Sequence, residues 1–275
     1  MRLIGLGDNV VDCYLDQGLY YPGGNAVNVA VNCMRDGARA AAYLGVFGDD
    51  GAAKHIKSCL AAEGVSFERS RRAYGRSGHP GVNLNPDGDR VFVGGPRDTV
   101  QHVLRLRLVP PDLDYVRSFD CCHTSCFSSV EPELEKLAEA CDLSFDFSTK
   151  AEDGYIDEVC PHLRFAFFSG AALTEERLGS IISRCHERGA EIVGITLGGR
   201  GALFSREGKR FYQPVKPAPA VIDTMGAGDS FIAGFLTRFY DSGDMAGALD
   251  YAAGRAALTC GFYGAFGYPH PLDDR

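Results

Sequence analysis

Val221-Ile222-Asp223-Thr224-Met225-Gly226-Ala227-Gly228-Asp229-Ser230-Phe231-Ile232-Ala233-Gly234-Phe235 joins a polar, glycine-rich turn to an apolar stretch with helical spacing. The small residues Gly226, Ala227 and Gly228 let the backbone approach a ligand. The helix that follows aims its unpaired N–H groups and positive dipole end at the same point, so the turn is built to receive an anion. Asp229 would be misplaced against a phosphate unless it meets the neutral hydroxyl that attacks it, the task of a general base in phosphoryl transfer. Asp and Gly are also ordinary cap and turn residues, so this short pattern alone fits a plain helix start too.

Outward from that turn, short apolar runs alternate with helical patterns. The spacing predicts strands over 1–8, 40–46, 119–123, 143–147, 165–169 and 191–197. Helices are predicted over 26–35, 131–140 and 175–188, and two closing helices over 229–240 and 245–260. Such alternation gives βαβ units: an α/β, doubly wound, mostly parallel sheet flanked by helices. Two segments interrupt it, residues 13–22 and 78–95. In the second, Asp87-Gly88 is a turn signal between Val82-Asn83-Leu84 and Arg90-Val91-Phe92-Val93. Both read as strands outside the main sheet.

The 275 residues, 45% hydrophobic, suit one large domain spanning the chain. A net charge of −8 and a pI near 5.4 argue against nucleic acid as a ligand, which needs a basic surface. No run approaches the ~20 apolar residues of a membrane span, and the first residues lack a signal-peptide pattern, so a cytoplasmic location is expected. The ten cysteines are then expected as thiols. The cluster Cys121-Cys122-His123-Thr124-Ser125-Cys126 has no second ligand pair at finger-like spacing and reads as buried thiols at a strand end.

The string from Asp223 to Phe235 resembles, over thirteen positions, the signature of the ribokinase-like (PfkB) family of carbohydrate kinases. The family's other signature is matched by Gly23-Gly24-Asn25-Ala26-Val27-Asn28-Val29-Ala30. The resemblance runs from Gly7 to about Gly264. It implies Asp229 as catalytic base, with Gly226, Ala227 and Gly228 giving amides to the transferred phosphoryl group. It implies that Asp12, Gly23, Gly24, Asn25 and Asn28 bind the sugar, and that Thr196, Gly198 and Gly201, in Thr196-Leu197-Gly198-Gly199-Arg200-Gly201, bind nucleotide. Residues 13–22 and 78–95 would form a small β lid, which in several members mediates a homodimer. ATP and Mg²⁺ are the implied cofactors, and Asp223 and Thr224 coincide with positions that help to hold a monovalent cation, K⁺, in related kinases.

The sequence departs from the family in places. Many members carry N-x-x-E after the strand matching 165–169, where Glu organises Mg²⁺-bound water; Ser169, Gly170, Ala171 and Ala172 stand here, with Glu175 or Glu176 as nearby substitutes. Asn25 and Val10 replace the Lys and Asn common in ribose kinases, so the sugar pocket differs. Gly7-Asp8-Asn9-Val10-Val11-Asp12, Asp89-Arg90-Val91-Phe92 and Phe145-Asp146-Phe147-Ser148 are similar to the subgroup of bacterial fructoselysine 6-kinases. That similarity implies ATP-dependent phosphorylation of a fructosamine 6-hydroxyl, with fructose and ribose as alternative acceptors and a non-catalytic binding module as the alternative class. An acid for the substrate's secondary amine is then expected among Asp8, Asp89 and Asp146, and His123 is expected to line the pocket.

Overall fold

The computed structural model describes residues 1–85, 90–218 and 220–274. A nine-stranded sheet is built from β1 (Arg2–Gly7), β4 (Ala40–Phe47), β5 (Arg71–Arg72), β8 (Cys121–Ser125), β9 (Asp142–Asp146), β10 (Phe165–Ser169), β11 (Ile192–Thr196), β12 (Ala202–Arg206) and β13 (Lys209–Gln213). Their spatial order is 13-12-11-10-9-8-1-4-5. All neighbours from β5 to β11 run parallel, and β11, β12 and β13 close one edge as an antiparallel meander. A second, five-stranded sheet holds β2 (Val10–Tyr14), β3 (Leu19–Gly23), β6 (Gly81–Leu84), β7 (Arg90–Gly94) and β14 (His270–Pro271). The expected lid segments are therefore strands of this sheet. The expected turn at Asp87-Gly88 lies outside the described residues.

Alternation along the strands divides the interior in two. On β10, Phe165 and Phe167 enter one buried cluster while Ala166 and Phe168 enter the other, because successive side chains point to opposite faces. The first cluster takes in α1 (Asn25–Arg35), α2 (Gly51–Ala62), α8 (Ala227–Ser242) and α9 (Met245–Thr259). The second takes in α4 (Pro110–Val116), α5 (Leu134–Ala138), α6 (Asp153–Val159) and α7 (Glu175–Glu187). Helices on both faces make the sheet doubly wound. A one-turn helix, α3 (Val100–Val103), precedes α4.

The helix expected over 131–140 is shorter and split. Pro132 sits in a 3₁₀ turn over Glu131–Glu133, and only Leu134–Ala138 is α-helical. Pro has no N–H to donate, which suits a first turn and not a helix interior. The ten cysteines are free, and Cys121 and Cys122 lie fully buried on β8. Among the described residues no helix is long and apolar enough to cross a membrane.

Candidate active site

The carboxyl ends of β1, β8 and β9 meet the N-termini of α1 and α8, and the small sheet adds Asp12 on β2 and Arg90 on β7. Gly226 starts α8 with φ 72°, and a Cβ there would sit 2.4 Å from Ala265 Cβ, so both backbone and space call for glycine. The first intrahelical bond runs from Ser230 N–H to Gly226 O at 2.8 Å; ahead of it the Ala227 amide donates to Thr224 O at 3.2 Å, and the amides of Gly228 and Asp229 stand at the helix start. A Cβ on Gly228 would meet no atom within 4 Å. The helix start faces open space on that side, as an anion site requires.

Asp229 is half-buried, and both its oxygens are held by α1. Asn25 Nδ2 donates to Oδ1 at 2.8 Å and Asn28 Nδ2 to Oδ2 at 2.7 Å. Burial pushes the Asp229 carboxyl up from its ordinary value, against the pull of Asn28 and the Arg90 charge. Asn28 Oδ1 is a buried acceptor without a hydrogen-bond partner among the described residues. The second hydrogen of Asn25 goes to Asp146 Oδ2 at 2.9 Å, and Ser148 N–H donates to Asp146 Oδ1 at 2.7 Å. Asp146 rises to about 7, first through burial and then through the nearby Asp229 charge.

Asp12 is buried, and its carboxylate accepts no hydrogen bond among the described residues. Burial lifts it to about 7, with Arg90 opposing and Asp229, Asp223 and Asp8 adding to the rise. Its Oδ2 would lie 2.2 Å from a Cβ on Gly23, so glycine there makes the room Asp12 occupies. Gly24 is the N-cap position of α1 and carries no capping side chain. Asp8 caps instead, accepting from Asn25 N–H at 2.8 Å and Ala26 N–H at 3.4 Å, and from the Ser128 hydroxyl at 3.0 Å.

His123 stands behind this layer. It is fully buried, with Nε2 2.9 Å from Asn25 Oδ1 and Nδ1 2.8 Å from Ser144 Oγ. Both ring nitrogens are therefore engaged by the protein, unlike the pocket-lining residue expected from the sequence. Arg90 was not singled out by the sequence reading. Its Nη1 donates to Thr224 O at 3.1 Å, so it leans from the small sheet onto the turn before α8, and its only local signal was a cation on an expected lid strand.

Thr196 ends β11, and Gly198 and Gly201 bound the 3₁₀ turn that follows, on the same carboxyl edge of the sheet as Asp146. In place of N-x-x-E, the carbonyl of Ala171 accepts from Arg200 Nη2 at 3.0 Å, and the exposed Glu175 pairs with Arg200 Nη1 at 3.6 Å. Among the described residues no group of three or more His, Cys, Asp or Glu side chains is placed to hold a metal. Magnesium suits such a site when nucleotide phosphates and waters supply most ligands, because this ion dehydrates reluctantly. Asp223 is fully buried and accepts from the Tyr14 hydroxyl and from the amides of Met225 and Gly264, each at 2.9 Å. Three donors occupy three of the roughly four lone-pair sites of this carboxylate.

A mostly parallel doubly wound sheet thus carries a small second sheet, with an acid in the first turn of the helix between them, and comparison with known proteins shows which class of protein this is. The chain matches the pfkB family carbohydrate kinase profile over residues 1–269. It is 46% identical over 271 residues to fructosamine kinase FrlD of Bacillus subtilis (strain 168), covering 98% of this chain and 95% of that protein. It is 35% identical over 266 residues to fructoselysine 6-kinase of Escherichia coli (strain K12), covering 96% and 99%. The structure of Arabidopsis thaliana ribokinase complexed with ribose and ATP has the same fold, with a TM-score of 0.81 at 20% identity over 96% of this chain and 93% of that one. The protein belongs to the pfkB family of carbohydrate kinases and is an ATP-dependent enzyme of that family.

Proposed function

We propose that the protein transfers the γ-phosphoryl group of ATP to the 6-hydroxyl of a fructosamine, with fructoselysine as the preferred acceptor. The observation that carries this reading is the pair Asp229 and Asp146, joined through one amide of Asn25. A base for a hydroxyl needs only one acid. The second, buried and pushed up to about 7, is suited to meet a cation brought by the substrate, and a fructosamine brings a secondary ammonium. Of the three acids expected for that amine, Asp8 is committed to capping α1 and Asp89 lies outside the described residues, while Asp146 stands beside the base with only the Asn25 amide between them. The 46% identity to a fructosamine kinase supports the same choice.

In this reading Asp229 accepts the proton of the 6-hydroxyl as its oxygen bonds to the γ-phosphorus. The bond from that phosphorus to the β–γ bridging oxygen breaks, and ADP leaves. The amides of Gly228 and Asp229 receive the charge on the transferred group, with the Ala227 amide, now on Thr224 O, beside them. Asp12 and the open acceptor of Asn28 take sugar hydroxyls, with Gly23 and Gly24 beside them. Thr196, Gly198 and Gly201 lie against the nucleotide, whose phosphates hold Mg²⁺ and its waters. Val91, Phe92 and Val93 on β7 are exposed, as is Leu15, which lies on the same side of Gly81 as Val93, and a homodimer through the lid would cover these apolar side chains. Nucleotide consumption measured over fructoselysine, other fructosamines, fructose and ribose tests the proposal. Fructoselysine should give the highest kcat/KM, and turnover confined to ribose or fructose would overturn it.

A further inference from the structure

The amide of Asn25 can face only one way. Turned over, its oxygen would point at the two carboxyl groups and its hydrogens at His123; as placed, each hydrogen meets a carboxyl oxygen, at 2.9 Å to Asp146 and 2.8 Å to Asp229, and the oxygen meets the ring at 2.9 Å. That fixes the ring's proton. Asn25 Oδ1 only accepts, so His123 Nε2 must donate, and a neutral imidazole then leaves Nδ1 as an acceptor for the Ser144 hydroxyl. Burial holds the ring neutral by pulling His123 down to about 3. The chain of bonds runs in one direction from Ser144 through His123 and Asn25 to both acids. Its members come from β8, β9, α1 and α8, so no neighbour along the sequence does this work.

We infer that His123 is a positioning residue: through Asn25 it fixes Asp229 and Asp146 relative to each other, so that the base and the amine-binding acid are presented to one substrate together. This rests on the function proposed above. It goes beyond it in assigning specificity and rate to a residue that touches neither substrate nor nucleotide. Without the ring nitrogen, Asn25 Oδ1 has no donor, the amide is free to turn, and the acids lose a shared strap while each keeps other bonds: Asp229 to Asn28, Asp146 to the Ser148 amide.

A double-mutant cycle on the full-length protein tests this. His123→Phe keeps a ring of similar size and removes both nitrogens. It should lower kcat with fructoselysine by about tenfold or more, since small misplacements of a base are costly, with the KM for ATP within about threefold of the parent. Asn25→Ala should do the same, and the double variant should be no worse than the poorer single, because both break one strap. His123→Gln, which restores an N–H donor, should recover most of the loss. Multiplying effects, or parental kcat in His123→Phe, would overturn the inference. Imidazole ¹⁵N NMR of the parent needs no variant: His123 should be a neutral Nε2–H tautomer throughout pH 5–8, and an Nδ1–H tautomer or a titrating ring would sink it even if His123→Phe fails to fold. A parent that phosphorylates fructose but not fructoselysine would count against the proposed acceptor instead, and the cycle would then be run with fructose.

Discussion

Asn28 on α1 donates to Asp229 on α8 at 2.7 Å, across 201 positions of sequence, and with the parallel bond from Asn25 it joins the two glycine-rich segments into one site. It also orders the base. A carboxylate held at both oxygens presents its remaining lone pairs in a fixed direction.

Asp229→Asn should therefore lower kcat by about 10²-fold or more, the usual contribution of general base catalysis, while ATP affinity changes little. The change is nearly isosteric, so circular dichroism should report a retained fold. Steady-state turnover near that of the parent would remove Asp229 from the role.

What the sequence made legible were the parts whose geometry is local. The turn before α8, the spacing of Asn25 and Asn28 on one helix, and the alternation that builds the sheet all follow from residues close in the chain. Asp146 and His123 meet Asn25 from 121 and 98 positions away, because β8 and β9 are adjacent in the sheet, and nothing in a linear pattern encodes which strand ends converge. By sequence Asp8 is one of three candidate acids for the substrate's amine. The structure spends it on the amides of α1, since Gly24 at the cap position has no side chain to offer. Helix α2 and the β12–β13 hairpin were not anticipated either: the first has five buried residues among lysines and small residues, and the second is a weakly apolar edge with exposed Lys209, Arg210 and Tyr212.

Arg90 should set the acid limb of the pH–rate profile. Its charge lowers the values of both Asp12 and Asp229, so Arg90→Met should raise them further and shift the acid limb to higher pH, with kcat reduced at neutral pH and partly recovered above it. Rates measured from pH 5 to 9 check this; an unmoved acid limb would mean that the guanidinium serves only Thr224.

Stability should depend on Asp12 in the opposite sense to an ordinary paired acid. Its value rises from 3.8 unfolded to about 7 folded, so the folded state binds the proton more tightly; its contribution is complete below about 4 and is lost as pH climbs through 7. Asp12→Asn cannot ionise and surrenders no hydrogen bond among the described residues. Between pH 5 and 8 its melting temperature should fall less than the parent's, with the gap at pH 8 worth on the order of 1–3 kcal/mol. A gap that is absent or widens toward low pH would contradict the burial of an unpaired acid at this place.

The small sheet should respond to ligand as a lid does. If β2, β3, β6 and β7 close over the acceptor, adding fructoselysine and a non-hydrolysable ATP analogue should slow amide exchange in those strands far more than in residues 131–140, on the far side of the main sheet. Uniform protection would leave the sheet a static wall.

The acceptor itself gives the last test, because the case for a fructosamine rests on a second acid and not on the phosphoryl chemistry. Binding energy from a part of the substrate that does not react can be spent on orienting the part that does, and ~1.4 kcal/mol of it is already a factor of ten in kcat/KM. An ammonium against a buried carboxylate that meets no other cation among the described residues should exceed that, so fructoselysine should surpass free fructose by well over tenfold. Asp146→Asn should erase most of the difference by lowering kcat/KM for fructoselysine and leaving that for fructose much closer to the parent value. Loss in equal proportion for both acceptors would assign Asp146 to the sugar ring or to the strap alone. Phosphorus NMR of the product should place the new ester on the 6-oxygen; phosphate elsewhere would mean that Asp12 and Asn28 hold the ring in another orientation, with a different hydroxyl turned toward Asp229.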